Sequence, residues 1–501
     1  MFVLESGHGI PSACNDESLQ PGGTFATNNP FTPDILVFNQ NGRKIRGPLG
    51  KPTAGGGGFQ PSGPAIDIAF VNGLSGGRLF ATDSNQATHA GGQNNSSRIV
   101  TVNPMTGQVT PFITNLPTGD HPSEQLAFRG DGWIYWSQGS TTNSGVVGLD
   151  NGSGTNQSDI PCQDITLGQN VFISSFGPPE VATSGYSPFG VQQPGATIKA
   201  FFNSFTGQVR QGVCDGAILR AQLSKPTNIR AFSWGYRNPY AIRFAPKGHP
   251  LDGGILAGMD GADERGARPS NNAPDELHLG RQNPDGSPDY HGWPDRYGGL
   301  PTSQAVYNPV GGPSDDVCPA PFDRATCVAN LQKAGAIPIA DVLAGPPQQI
   351  TGPLANEGAD SSFTGIDFAP DAFVIGPVQP GAALYSLEGD FGFSAPNSSN
   401  PDAEIGHEIK LINFNQLPGS PLALRIQNFA RNSTNDQAFV TNINEFNRPT
   451  NLRFGPDGCA YVIDYGAVRD LGADSHFVGP PANGPLVQIP GTGAIWKICP
   501  M

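Results

Sequence analysis

This chain has few positive charges for its length, and that shortage excludes several kinds of partner. Lys and Arg number 28 against 42 Asp and Glu in 501 residues, so the formal net charge is −14 at pH 7. A field of that sign repels phosphate backbones and anionic lipid, and no basic cluster in the sequence offsets it. We therefore expect neither nucleic acid nor an anionic membrane surface as a partner.

Long apolar runs are also missing. No stretch approaches the roughly 18 apolar residues that a transmembrane helix needs. Residues 1–14 lack the basic start and the apolar run of a signal peptide. The sequence predicts no membrane span, and Met1 begins either a protein that stays inside the cell or a mature or trimmed form.

Several local motifs of common enzyme classes are absent. No C-x-x-C pair, G-x-S-x-G elbow or H-E-x-x-H pair occurs, which argues against zinc, redox-disulfide and serine-hydrolase sites. Gly50-Lys51 is followed by Pro52, so it does not form a phosphate-binding loop. Without a C-x-x-C-H motif we expect no covalently attached c-type haem.

Seven cysteines bear on the compartment. Cys318 and Cys327 bracket a short loop, Cys459 and Cys499 lie in strand-like segments, and Cys162 with Cys214 remains as a third pair, which leaves Cys14 over. The alternative is seven buried thiols. Six sequon-like triplets also suit a secreted glycoprotein surface, beginning at Asn94, Asn95, Asn151, Asn156, Asn397 and Asn432. We interpret the protein as extracellular or periplasmic, with disulfide bonds.

Glycine and proline are abundant instead, with 67 and 49 residues. So many glycines and prolines without the three-residue period of collagen indicate many short strands joined by loops. One pattern recurs five times: an alternating strand, a turn rich in Pro, Asp and Gly, and a second strand with aromatic or β-branched residues. It predicts five hairpins, near residues 67–83, 125–137, 241–258, 365–387 and 451–464.

Recurring hairpins at irregular spacing are typical of propeller blades with insertions between them. We predict an all-β fold, a six-bladed β-propeller that forms one domain over residues 1–501, with seven blades as the alternative. Phe2–Glu5 and Ala494–Ile498 would combine in the remaining blade, so that both termini close the ring and no sheet edge is left free. A single short helix is predicted at Ala325–Ala336.

The long inter-strand loops are expected on the top face, where they would shape a cleft. They are residues 54–64, 140–161, 261–274, 301–319 and 394–403. Acidic residues of one polar loop, Asp275 and Glu276, with the backbone around Gly261, offer the hard oxygen ligands that Ca²⁺ prefers. The plainer alternative is a solvated acidic loop.

Four residues at three strand entrances are candidates for chemistry. His121 precedes the second hairpin and is placed to act as a general base, although a loop histidine bonded to backbone is the alternative. Arg237 and Asn238 enter the third hairpin, where a guanidinium fork and an amide suit a carboxylate or a quinone oxygen. Arg237 is equally suited to join neighbouring blades. Arg448 repeats its position at the fifth hairpin.

These segments resemble the soluble quinoprotein glucose/sorbosone dehydrogenases. The resemblance lies in the run from His121 to Tyr135, in Tyr236-Arg-Asn-Pro-Tyr-Ala-Ile242, in Asp275-Glu-Leu277 with Tyr290-His-Gly-Trp-Pro294, in Ser361-Ser362 before Gly365, and in Arg448-Pro-Thr450 before Gly455-Pro-Asp-Gly458. The five motifs follow the family's order and cover most of residues 67–465.

The resemblance implies a six-bladed propeller that binds pyrroloquinoline quinone (PQQ) and Ca²⁺ and oxidises a sugar. His121 would be the base, Arg237 would lie over the quinone, and Asn238 would lie beside it. Arg448 would face a cofactor carboxylate. Carbonyls near Gly261 would bind Ca²⁺, and Glu276 looks like a ligand of a second, structural Ca²⁺. A separate protein or small molecule would accept the electrons.

Three positions depart from the family pattern. Ser140 stands where the family usually has an Asp that orients the histidine, Glu388 stands where it offers a basic residue, and Thr450 stands where some members have a second Arg. The leading prediction is a secreted PQQ-dependent sugar dehydrogenase. Its alternative is a catalytically silent secreted propeller that binds a carbohydrate, a protein or a surface, and a third is a Ca²⁺-dependent lactonase or lyase.

Overall fold

The structure is a computed structural model of the whole chain. It describes residues 1–7, 32–51, 57–60, 63–71, 77–84, 96–147, 158–170, 172–174, 181–183, 186, 194–204, 206–262, 268, 270, 273–297, 300–301, 306–307, 337–338, 340–359, 361–389, 406–415, 422–431, 446–466, 468–470, 486–488 and 493–500. The statements below concern these residues.

The described strands form the six blades of a β-propeller, and these residues contain no helix. Blade 1 is Phe2–Glu5, Asp34–Phe38 and Lys44–Leu49; blade 2 is Ile68–Val71, Arg78–Asp83, Ser97–Val102 and Val109–Leu116; blade 3 is Ser123–Phe128, Trp133–Gln138, Ala217–Gln222, Lys225–Trp234 and Asp289–Tyr290; blade 4 is Asn238–Phe244, Ile255–Asp260, Pro274–Gly280 and Ala355–Ala359; blade 5 is Phe363–Phe368, Ala383–Leu387, Glu408–Asn415 and Ala423–Arg431; blade 6 is Pro449–Phe454, Ala460–Asp464 and Ala494–Ile498. Only Asp289–Tyr290 pairs in parallel within these sheets.

Short two-stranded ribbons lie outside the blades. They pair Ile165–Thr166 with Thr197–Ile198, Phe172–Ser174 with Val181–Thr183, Phe202–Asn203 with Gln208–Val209, Arg296–Tyr297 with Leu300–Pro301, Val306–Tyr307 with Ile337–Pro338, and Val468–Asp470 with Leu486–Gln488.

All five predicted hairpins are confirmed, and each supplies the first two strands of a blade, from blade 2 to blade 6. Inner strands such as Phe363–Phe368 and Ala383–Leu387 are buried along their whole length. The outer strand Ala423–Arg431 of the same blade has no fully buried residue. Blades therefore pack face to face near the axis and open to solvent at the rim.

The hydrophobic core is divided among the gaps between successive blades. Five clusters fill the gaps from blades 1–2 to blades 5–6, as Phe80 with Trp136 between blades 2 and 3 and Leu384 with Leu452 between blades 5 and 6 show. Burial of about 25 cal/mol per Å² of apolar surface stabilises each gap. Sheets that pack face to face through interdigitated side chains lie about 10 Å apart.

Polar bonds also join the inner strands around the axis. Asp67, just before blade 2, accepts hydrogen bonds from the Leu126 amide at 2.9 Å and from Arg453 Nη2 at 3.3 Å. Asp367 in blade 5 accepts from Arg243 Nε at 2.7 Å and from the Phe454 amide at 2.9 Å. Blades 2 to 6 are therefore tied by charge-assisted bonds as well as by packing.

One structural prediction is corrected at the chain ends. Phe2–Glu5 pairs with Asp34–Phe38, whereas Ala494–Ile498 pairs with Ala460–Asp464. The described terminal strands thus lie in different sheets and do not combine in one blade. Each pairs with a strand much nearer in sequence, which lowers the entropy cost of closing the loop.

Two of the predicted disulfides are present, between Cys162 and Cys214 and between Cys459 and Cys499. They span 52 and 40 residues. The presence of disulfide bonds is consistent with an oxidising compartment. No helix among the described residues has the length and apolarity to cross a membrane. Cys14, Cys318, Cys327, the predicted helix Ala325–Ala336 and all six sequon-like asparagines lie outside the described residues.

Candidate active site

The candidate site lies where the first strands of the blades begin. In four of them the pairing register shifts near the start of the strand: between Ser123 and Leu126, Asn238 and Ala241, Phe363 and Gly365, and Pro449 and Asn451. Such bulges redirect side chains at the end of a sheet and are frequent beside active sites. His121, Arg237 and Arg448 each come just before one of these irregular starts.

His121 is surrounded by groups that bond or face its imidazole. Its Nδ1 lies 3.1 Å from Asn238 Nδ2 and 3.3 Å from Glu124 Oε1, and its Nε2 lies 3.5 Å from Asp120 Oδ2. The side chain is 24% exposed. Its Nε2 is buried without a hydrogen-bond partner among the described residues, so none of them occupies the lone pair of this nitrogen.

Gly139 makes room for this histidine. A Cβ added there would lie 2.2 Å from His121 Cβ and 3.0 Å from Asn238 Oδ1. The backbone of the same loop holds the site, because Gly139 N donates to Pro122 O and Ser140 N donates to Arg237 O. Only a residue without a side chain allows the two loops this close approach.

Arg237 is a buried member of an ion pair. Its Nη2 donates to Asp120 Oδ2 at 2.8 Å and to Asn143 Oδ1 at 3.0 Å. The pair joins the entrance of blade 4 to that of blade 3, so the alternative role of Arg237, joining neighbouring blades, is met. The same pair fixes the guanidinium beside His121, where the sequence predicted a site residue.

Asn238 connects His121 to a second acid. Its amide donates to Asp260 Oδ2 at 3.1 Å, while Asp260 Oδ1 accepts from the Phe363 amide at 2.7 Å. Burial, followed by the charges of Asp275 and Glu124, raises the pKa of Asp260 well above its ordinary value. The structure therefore brings His121, Arg237 and Asn238 together, with carboxyl groups on three sides.

Of the predicted calcium ligands, Gly261 and Asp275 are in contact, whereas Glu276 points away from them. Asp275 and Glu276 lie in the strand Pro274–Gly280 and not in a loop, so successive side chains point to opposite faces. Asp275 accepts from the Gly261 amide at 2.6 Å and from the Ser361 hydroxyl at 2.9 Å. No group of three or more His, Cys, Asp or Glu suited to a metal occurs in the described part of the chain.

Glu276 instead begins a buried chain of hydrogen bonds, the histidine array of Glu276, His278, His291 and Asp289. Glu276 Oε2 lies 3.0 Å from His278 Nε2, His278 Nδ1 lies 3.0 Å from His291 Nδ1, and His291 Nε2 lies 3.1 Å from Asp289 Oδ2. The ring of Tyr236 stacks on His291 with centroids 4.4 Å apart. The array thus packs beneath the residue that precedes Arg237.

Proton counting defines the charge of this array. Its three contacts need one proton each, and two neutral imidazoles supply two. One further proton must sit on an imidazole or a carboxyl, so the four groups together carry a charge of −1. Burial lowers the pKa of His291 to about 4, which disfavours placing the further proton on that ring.

Arg448 lies in a second cluster, at the entrance of blade 6. Its Nη1 donates to Gly389 O at 3.1 Å, and its amide donates to Asp464 Oδ1 at 2.9 Å. Burial raises the pKa of Glu388 to about 7, an effect that Arg448 opposes. Burial, and then the charge of Arg448, lowers the pKa of His407 to about 3.

Tyr240 lies in the first strand of blade 4, two residues after Asn238. Burial raises the pKa of its hydroxyl well above the ordinary value, and the charges of Glu124 and Glu388 raise it further. Arg448 lies just before the first strand of blade 6, as His121 and Arg237 lie just before the first strands of blades 3 and 4.

Sequence reasoning missed Asp120, Glu124, Asp260 and Tyr240. Asp120 and Glu124 flank His121 in the chain, at positions −1 and +3, and that proximity was an available signal. Ser140, which the family pattern places at the histidine, donates its hydroxyl to Thr142 O at 2.6 Å. The carboxylates that face His121 come from these neighbours instead.

No protein-family model and no curated protein matches the chain. Among solved structures it is similar to the PQQ domain of pyranose dehydrogenase from Coprinopsis cinerea, with 13% identity over 85% of this chain and 84% of the other and a TM-score of 0.41. A putative oxidoreductase (glucose dehydrogenase) from Thermus thermophilus shares 14% identity over 86% and 96%, with a TM-score of 0.31.

PhoX from Pseudomonas fluorescens, in complex with vanadate, shares 10% identity over 87% of this chain and 80% of that chain, with a TM-score of 0.35. The fold is therefore established by the six sheets of this chain, and the site by its own contacts.

Proposed function

We propose that this protein is a secreted sugar dehydrogenase of the quinoprotein type, in which His121 takes a proton from a sugar hydroxyl. The observation that carries the proposal is the meeting of His121, Arg237 and Asn238 with one imidazole nitrogen unbonded. These residues were selected from motifs 117 positions apart, and the fold brings them into contact. The two disulfides support secretion.

The donor set suits PQQ, an anionic quinone. Arg237 and Asn238 would lie beside the quinone oxygens, and Arg448 would face a carboxylate. Glu388 stands where the resemblance offers a base, but burial raises its pKa to about 7, and the protonated form does not repel an anion. When bound, PQQ supplies the acceptor for a hydride from the sugar carbon.

The described residues do not suit Ca²⁺ at the predicted position, because Asp275 and Glu276 face opposite sides of a strand and Asp275 is already hydrogen-bonded. We derive no step through this ion.

The protein's own residues would work as follows. A hydroxyl of the sugar donates a hydrogen bond to His121 Nε2, and its proton moves to that nitrogen as the O–H bond is cleaved. The ion pair of Arg237 with Asp120 holds the entrance of blade 4 in place, so that Asn238 stays beside the ring. Tyr240 offers an aromatic surface next to the acids, a combination that binds sugars through stacking and hydroxyl hydrogen bonds.

A second candidate is a silent propeller that only binds a carbohydrate. It is favoured by the acids around His121, because Glu124 and Asp260 can hydrogen-bond sugar hydroxyls and neither offers a positive charge to an anionic cofactor.

One experiment separates the two candidates. Purified protein is mixed with PQQ and Ca²⁺, and cofactor absorbance and dye reduction are followed with a panel of aldoses. The dehydrogenase gives a changed cofactor spectrum and sugar-dependent bleaching of the dye. Sugar binding by calorimetry without either signal would sink the dehydrogenase and leave the binding propeller.

A further inference from the structure

Glu124 is a buried carboxylate whose oxygens accept no hydrogen bond from the described residues. Both of its oxygens are buried and lack a hydrogen-bond partner among the described residues. A buried polar group left without a partner costs about 1–3 kcal/mol. Nearly all such groups in folded proteins find partners, and those that do not are concentrated where a function retains them.

The local backbone places this carboxylate beside the catalytic histidine. Glu124 and Gln125 together stand opposite Ser137, because the register shifts between Ser123 and Leu126. The amide of Gln125 and the hydroxyl of Ser123 are both bonded within blade 3, to Ser137 Oγ and Gln138 Oε1. Glu124, in the same bulge, faces His121 Nδ1 at 3.3 Å.

The other groups near His121 cannot take this role. Ser140 donates its hydroxyl to Thr142 O. Asp120 lies on the Nε2 side of the ring and is bound to Arg237 at 2.8 Å. Asn238 Nδ2 approaches Nδ1 at 3.1 Å as a donor, and a donor there would leave the proton on Nε2, where it would block a base.

We infer that Glu124 is the positioning residue of His121: it accepts the Nδ1 proton, so that Nε2 keeps its lone pair for a substrate hydroxyl. The inference rests on the proposed function for the identity of that hydroxyl. During the step the O–H bond breaks, its proton forms the Nε2–H bond, and the Nδ1 proton stays on the ring. The carboxylate then stabilises the resulting imidazolium by charge.

Glu124 and Asn238 make opposite demands on one nitrogen, and the balance favours the acid. An ionised acceptor forms a hydrogen bond roughly twice as strong as a neutral one. The Asn238 amide also keeps Asp260 as an acceptor at 3.1 Å in either tautomer. A proton on Nδ1 therefore satisfies Glu124 at little cost to Asn238.

The test reads the imidazole directly by nitrogen-15 NMR of histidine-labelled protein, with the His121 signals assigned as those lost in His121→Asn. Wild-type protein should show His121 protonated on Nδ1 when neutral. Glu124→Gln should move population from the Nδ1-protonated to the Nε2-protonated form.

Glu276→Gln is the matched control, since Glu276 is also a buried glutamate that faces a histidine. It should change the His278 signals and leave those of His121 as they are. An unchanged His121 tautomer in Glu124→Gln would overturn the inference. The NMR measurement does not require turnover, so its result can be interpreted even if the sugar dehydrogenase assay shows no activity.

A reciprocal measurement covers the case in which Glu124→Gln does not fold. Burial raises the pKa of Glu124, and the His121 imidazole, whose Nδ1 lies 3.3 Å from Oε1, lowers it. Carbon-13 NMR of the Glu124 carboxyl in His121→Asn should therefore show a higher titration midpoint than in the wild type. Equal midpoints would contradict the pairing. In an active enzyme, Glu124→Gln should lower kcat by about 10²-fold with KM little changed, and Glu124→Asp should restore part of it.

Discussion

Two clusters of imidazole and carboxylate lie close together in blades 3 and 4, and they differ in how completely their polar atoms are paired. In the histidine array, all four ring nitrogens have partners at 3.0–3.1 Å. At His121, Nε2 and both oxygens of Glu124 have no hydrogen bond among the described residues. The same residue types are therefore assembled into a closed network in one place and an open one in the other.

Exposure follows the same division. The side chains of His278 and His291 are fully buried, whereas that of His121 is 24% exposed. A buried network that satisfies nearly all its members rigidifies the structure around it, and the array stacks on Tyr236, next to Arg237. The comparison teaches that the array supports the site and the His121 cluster forms it.

The largest expected effect is the loss of activity on removal of His121, the imidazole with an unbonded nitrogen. His121→Ala should lower sugar oxidation by about 10²–10⁴-fold, since that is the usual contribution of a general base. Dye reduction measures the rate, and the PQQ absorbance should be retained because His121 supplies no charge to the cofactor. An unchanged rate would remove His121 from the reaction.

The next largest effect is the loss of stability on removal of one imidazole from the histidine array. His291→Leu leaves His278 Nδ1 without its bond, while Asp289 Oδ2 still accepts from the Arg281 amide at 3.2 Å. One buried unsatisfied group predicts a loss of about 1–3 kcal/mol. Urea unfolding measures the loss. His249→Leu is the control, because His249 is only part-buried and bonds only backbone, to Gly381 O and the Leu251 amide. Equal losses in the two variants would show that the array has no special structural role.

The smallest effect is a pH dependence that the acids near the site should dominate. Burial raises the pKa of Asp215 to about 7, of Glu388 to about 7 and of Asp275 to about 6. The folded state therefore binds more protons than the unfolded state between about pH 4 and pH 7, and stability falls as pH rises through that window.

Buried histidines oppose this trend only below their ordinary pKa. His291 and His407 have pKa values lowered to about 4 and 3, so their contribution to stability rises with pH up to about 6.5 and is constant above it. Between pH 6.5 and about 7.5 the acids should act alone, at no more than about 1.4 kcal/mol per pH unit for each acid still protonated in the folded state, and the dependence should end once they have ionised. Calorimetric melting at a series of pH values checks this, and a melting temperature that rises over the interval would contradict it.

The fold was largely readable from the sequence because its signals are local. Each hairpin is specified by alternation within a strand and by a short turn, as Leu126–Phe128 followed by Trp133–Trp136 shows, and both can be seen within about a dozen residues. The error at the chain ends has the opposite cause. Which strand pairs with Ala494–Ile498 depends on competition among distant edges, and the sequence carries no local sign of it.

The candidate site divides in the same way. His121, Arg237 and Asn238 were predicted from their motifs, and the structure brings them together. Glu276 was assigned to a metal site although strand periodicity alone puts it on the face opposite Asp275. Asp120 and Glu124 were overlooked, because their importance arises only when Arg237 and His121 are placed beside them.

By itself, the sequence determined the five hairpins and the acidic character and proposed the central residues of the candidate site, since each depends on composition or on neighbours in the chain. Only the tertiary structure decided which acid faces which imidazole. A bulge at Glu124 and a contact across 117 residues at Arg237 set those distances. Burial then determined the protonation of the acids, because desolvation is a property of the packed molecule and not of the chain.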